Sequence, residues 1–182
     1  MSEIESLSGI GVALVRLGTA ALIGGTLGLN RELHDKPAGL RTHALVGLGA
    51  ALATFISIEV TAGGSISDMS AVTRVIQGVL TGVGFLGAGV IIREESGRKV
   101  KGLTTSASIW VVACLGMACG AGRWRSALVA FGITLAVLVF GGPIEKSLHR
   151  LLRPQDDYEH PPPPQDTWQT SPGLVNRTEP RQ

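Results

Sequence analysis

Between Leu103 and Ala121 the chain reads LTTSASIWVVACLGMACGA, nineteen residues without a charge. An α-helix rises ~1.5 Å per residue, so this run can cross a hydrocarbon core of ~30 Å. Basic residues bracket it, with Arg93, Arg98, Lys99 and Lys101 before and Arg123 and Arg125 after. Four further runs share the pattern: Leu7–Leu29, Thr42–Val60, Ala71–Ile92 and Trp124–Gly142. In lipid every backbone polar group needs an internal partner, so spans of this length must be helices. Buried helices of a soluble bundle would carry polar faces, and these show almost none. The sequence therefore predicts an all-α membrane protein of five transmembrane helices.

Working outward, the loops give the orientation. Arg31, Lys36 and Arg41 lie in the first loop, and the third is the basic stretch before Leu103. Lys146, Arg150 and Arg153 follow the fifth span. The N-terminal segment and the second loop, Thr61–Ser70, have no Lys or Arg. Basic loops face the cytoplasm, so the alternation predicts N-out, C-in topology. Glu3 and Glu5 precede the first run without a basic residue, unlike a signal peptide, so that run is expected to be retained as a helix. Residues 1–150 form the membrane domain in this reading. Residues 151–182, with Pro161–Pro164 and scattered charge, are expected to be a disordered cytoplasmic tail. The formal net charge of +2 gives no footprint for nucleic acid. Cys114 and Cys119, five positions apart on one helix, cannot bridge each other and read as small apolar residues.

The chain also resembles itself. Gly39-Leu40-Arg41-Thr42-His43-Ala44 opens the second span, and Gly102-Leu103-Thr104-Thr105-Ser106-Ala107 opens the fourth. Each preceding span carries one arginine, Arg16 or Arg74. This predicts two helical hairpins of the same orientation, related by an axis along the membrane normal, plus one added helix. Helices in lipid associate through close contact of small residues. Gly24/Gly28, Gly78/Gly82 and Gly116/Gly120 have that spacing, and Gly84, Gly87 and Gly89 thicken the third span. That density predicts a central third helix; a broken helix lining a pathway is the alternative.

Arg16, Glu59, Arg74 and Gln77 are the polar groups at membrane depth. Such groups are costly and usually paired. Arg16 and Arg74 either share Glu59 or Asp68 as partners or snorkel to the interface. Mg²⁺ prefers oxygen ligands, usually carboxylates with water. No Asp or Glu sits mid-span, so a direct Mg²⁺ path has little support. There is no nucleotide motif, no catalytic constellation, no cofactor site and no standard metal motif. The polar loop carries the other candidates: Asn30, Arg31, Glu32, Lys36, Arg41, Thr42 and His43. Thr42 and Thr105 are placed to cap the second and fourth spans. Those helix ends, with nearby cations, could hold an anion or a lipid headgroup. Ordinary positive-inside loops with capped helices are the plainer reading.

Several of these motifs, in order, resemble the MgtC/SapB family of bacterial inner-membrane proteins. They are Gly28-Leu29-Asn30-Arg31-Glu32, Lys36 through His43, Gly84 through Ile91, and Gly102 through Thr105 with Trp110. The resemblance covers about residues 10–145, with Asn30 where the family usually carries Glu. It implies a multi-pass plasma-membrane protein linked to growth in low magnesium and, in pathogens, to survival inside macrophages. It also implies a regulator more than a Mg²⁺ carrier, with some members restraining the ATP synthase. Some relatives add a folded cytoplasmic C-terminal domain; here only the polar tail is expected after the fifth span. The expected function is a non-enzymatic regulator of membrane energetics or of adaptation to low magnesium. Its expected partners are the bilayer, another membrane complex and a second copy of itself. Magnesium transport, or an accessory role in it, is the alternative.

Overall fold

The computed structural model describes residues 2–62, 66–93 and 100–152. Five helices make up nearly all of it: α1 (Ser2–Glu32), α2 (Leu40–Thr61), α3 (Ile66–Val90), α4 (Leu103–Gly120) and α5 (Trp124–Leu152). Each contains a stretch long and apolar enough to cross a membrane. Two short strands, β1 (Ile92–Arg93) and β2 (Val100–Lys101), pair antiparallel between α3 and α4. The chain divides into two units, Met1–Pro143 and Ile144–Gln182. In the second, the described part is the end of α5. The expected tail, residues 153–182, lies outside the described residues.

The centre of the first unit is α4, not α3. Of the apolar stretch of α4, 56% of residues are buried, against 11% for α3. Val112, Leu115 and Cys119 of α4 join Ala20, Ile23 and Leu27 of α1 and Ala51 of α2 in one core. Ile109, Ala113 and Met117, on another face of α4, join Ala50 of α2 and Val83 of α3 in a second. Glycine number therefore misplaced the central helix. What counts is whether a glycine meets another backbone. A Cβ on Gly116 would collide with the Gly47 carbonyl of α2, and one on Gly120 with that of Ala51. A Cβ on Gly24 would collide with the His43 carbonyl, and one on Gly28 would stand 2.6 Å from the Gly39 oxygen. By contrast Gly78, Gly82, Gly84 and Gly89 of α3 have no described atom within 4 Å of that position.

The two hairpins, α1–α2 and α3–α4, share one contact at matching positions. Gly24 and Gly87 each stand fifteen residues before the glycine that precedes the next helix, Gly39 or Gly102. Gly24 abuts His43, and Gly87 abuts the Ser106 hydroxyl. The structural counterpart of Gly24 is thus Gly87, where the sequence pattern suggested Gly78. Gly102 has φ +92, in the left-handed region, and lies against the Val90 carbonyl. A side chain there would be strained and would clash, so the turn into α4 requires glycine.

Candidate functional site

The richest polar cluster lies where α1 ends and α2 and α4 begin. Arg31, in the last turn of α1, points inward and is only 6% exposed. Its Nη2 donates to the Thr105 hydroxyl at 2.6 Å, and its buried Nε has no partner among the described residues. His43 is fully buried. Its Nδ1 lies 3.0 Å from the Gly39 carbonyl and its Nε2 3.0 Å from the Ser108 hydroxyl. A carbonyl only accepts, so Nδ1 carries a proton. The Ser108 oxygen also lies 2.8 Å from the Thr105 carbonyl. A serine has one proton to give. Donated to Nε2, it matches a neutral ring; donated to Thr105, it requires Nε2 to donate as well. One side-chain cluster thereby ties all three helices together.

The loop over this cluster is shaped by backbone. Asp35 (φ 52) and Ala38 (φ 60) both take the left-handed conformation, which is unusual for residues with a Cβ. Glu32 Oε2 accepts the backbone N–H of Leu40 at 3.0 Å. That carboxylate satisfies a donor that no helical turn can reach, at the positive end of α2. Gly39 fits under it, because a Cβ there would stand 2.6 Å from Oε2. The structure thus corrects the expected caps. Gly39 and Gly102 precede the helices without side-chain cap bonds. Thr105 instead receives Arg31, and the cap of α2 comes from Glu32.

A cleft of about 710 Å³ opens beside this loop, lined by Glu32, Asp35, Lys36, Gly39, Arg41 and Thr42 among others. It has two cations and two carboxylates with exposed side chains. His34 Nδ1 lies 2.7 Å from the Asn30 carbonyl. Among the described residues no three His, Cys, Asp or Glu converge as a metal site would need. Of the loop candidates, Arg31 and His43 go to the buried tie, Glu32 to the helix cap, and Lys36, Arg41 and Thr42 to the cleft. Asn30 contributes its carbonyl.

The other candidate group does not assemble. Arg16 does not pair with Glu59. Its Nη1 donates to the Gly120 carbonyl at 3.0 Å, and its guanidinium lies 5.6 Å over the Phe55 ring. Glu59, Arg74 and Gln77 are exposed. The side chain of Asp68, the other expected partner, lies outside the described residues. Sequence reasoning missed Ser108 and Phe55. Ser108 had a signal: it stands three residues past Thr105 in an uncharged span, on the same helix face.

Comparison with known proteins follows the same boundaries. The MgtC family model matches residues 17–147, which takes in α1 from Leu17 to α5 and every residue of the buried tie. The chain belongs to the MgtC family. Protein SrpB of Synechococcus elongatus is 43% identical over 129 residues, covering 68% of this chain and 71% of that protein. The putative magnesium transporter YhiD of Escherichia coli K12 is 39% identical over 130 residues, 69% of this chain and 58% of its own length. Protein MgtC of Brucella abortus is 40% identical over 132 residues, 72% of this chain and 52% of its own. This MgtC-family chain thus spans between about half and seven-tenths of these relatives. No solved structure matches it.

Proposed function

We propose that this chain is a non-enzymatic regulator in the bacterial inner membrane, acting in adaptation to low magnesium by binding another membrane complex. It sits N-out, C-in, so the loop of Glu32 to Thr42 faces the cytoplasm as the regulatory surface. The observation that carries this reading is the open glycine face of α3. Gly78, Gly82 and Gly89 share one side of that helix and meet no described atom within 4 Å of a Cβ, while Gly24, Gly28, Gly116 and Gly120 are occupied by neighbouring backbone. Small residues in lipid gain their advantage from close helix contact, and on α3 that contact is left for another chain. A photo-crosslinker at Gly82 is expected to capture a membrane protein in cells grown in low magnesium, and photo-leucine at buried Leu115 is not. Capture of lipid alone from Gly82 would refute the reading. Reporter fusions at each terminus test the orientation.

The name of the relative YhiD, putative magnesium transporter, favours a second reading, transport or an accessory role in it. Purified protein in liposomes distinguishes them. Mg²⁺ entry that depends on Arg74 or Gln77 supports transport, and tight vesicles support the regulator.

A further inference from the structure

A second cleft, of about 460 Å³, lies between the N-terminal half of α1 and the turn from α4 to α5. Gly11, Val12, Val15, Arg16, Thr19 and Trp124 line it. Arg16 lies inside the first apolar run, Leu7–Leu29, nine residues from its start, or ~14 Å along the helix. Side chains on a helix lean toward its N-terminus, so the guanidinium is aimed at the nearer membrane surface. Its bond to Gly120 satisfies one of the carbonyls left over at the end of α4. A guanidinium has five N–H donors, and this bond uses one. Among the described residues its contacts are the Gly120 carbonyl and the Phe55 ring, both uncharged. A charge held at this depth is costly without a counter-ion.

The surroundings supply the rest of a headgroup site. Arg123 and Arg125 are exposed on the turn and the first residues of α5. Arg125 lies 5.3 Å over the ring of Trp124, which is 50% exposed. Tryptophan at a span end favours the headgroup layer. Val12 and Val15 present exposed apolar side chains along one wall. Arginine matches phosphate oxygens with paired N–H donors.

We propose that this cleft binds the phosphate of a membrane phospholipid, held by Arg16 beside Trp124, with an acyl chain along Val12 and Val15. Free phosphate shares the headgroup chemistry but makes no use of the valine wall. The test uses the full chain purified in detergent, with native mass spectrometry for retained lipid and thermal unfolding for stabilisation. Phosphatidylglycerol, diacylglycerol of the same chain length and inorganic phosphate are added in parallel. Phosphatidylglycerol is expected to be retained and to raise the midpoint, and the other two are not. Arg16→Gln is expected to weaken retention about tenfold by removing a charge-assisted partner. Because Arg16 also caps α4, that variant could lose its fold. Gly11→Trp serves beside it: Gly11 has nothing within 4 Å of a Cβ, so the indole fills the cleft and leaves Arg16 in place. Loss of retention in Gly11→Trp supports the site. Unchanged retention in that variant, equal stabilisation by diacylglycerol, or equal stabilisation by inorganic phosphate alone would each overturn the assignment.

Discussion

Replacing Gly28 by alanine adds one methyl group where α1 crosses the start of α2. That Cβ would stand 2.6 Å from the Gly39 oxygen and 2.7 Å from the Leu40 Cα, both backbone atoms that cannot rotate away. Reaching ordinary contact, at roughly 3.4 Å or more, requires the helices to part by most of an ångström. Overpacking of this kind costs ~3 kcal/mol at the upper end, and alanine returns ~1 kcal/mol of helix propensity. The expected net loss is ~2 kcal/mol. Gly82→Ala is the control. It has the same spacing within its helix, but nothing stands within 4 Å of its Cβ. Only the propensity gain of ~1 kcal/mol applies there. The two variants should therefore differ by ~3 kcal/mol, about a hundredfold in the unfolding equilibrium. Denaturant titration of the purified chain in mixed micelles measures both. Equal midpoints, or a larger loss for Gly82→Ala, would refute the claim that backbone contact, not glycine spacing, holds this bundle together.

Three further outcomes follow from the polar cluster. Thr105→Val leaves the buried Arg31 guanidinium without its hydroxyl acceptor and is expected to cost ~1–3 kcal/mol, while Thr105→Ser stays within ~0.5 kcal/mol of the parent in the same titration. Glu32→Ala removes the acceptor for the Leu40 N–H and should cost ~1 kcal/mol, with faster hydrogen exchange confined to the first turn of α2; Glu32→Gln keeps an acceptor and restores most of the protection. His43→Phe keeps the ring volume but leaves the Gly39 carbonyl and Ser108 hydroxyl without the imidazole, at a cost of ~1–3 kcal/mol; a midpoint equal to that of the parent would show that the ring serves only to fill space.

The loop site was half legible. Arg31, Glu32 and His43 stand out in sequence because they are polar residues beside apolar runs. Their separate tasks do not. Arg31 and Arg41 look alike as loop cations, yet one is buried against Thr105 and the other lines an open cleft. The difference lies in which helix face turns toward α4. Thr105 looked like a cap because it opens a span. Gly102 takes that position with a positive φ, which frees Thr105 to face Arg31. Sequence left Arg16 open to a carboxylate partner or to snorkelling; its Nη1 meets the end of α4, whose leftover carbonyl offers a partner without a second charge to bury.

By itself the sequence determined the number of membrane-length helices and the start of α5, though α5 runs on to Leu152, ten residues past Gly142. Hydrocarbon forbids unsatisfied backbone, and the length of an uncharged run is a local property that needs no partner to read. Residues Leu103–Ala121 specified a helix in that way. Only tertiary structure decided that this helix is the centre of the bundle. Uncharged spans are nearly equivalent to lipid, so hydrophobicity does not rank them, and glycine spacing is the same whether or not another backbone lies across it. The contacts of Gly116 with Gly47 and of Gly120 with Ala51 make that choice.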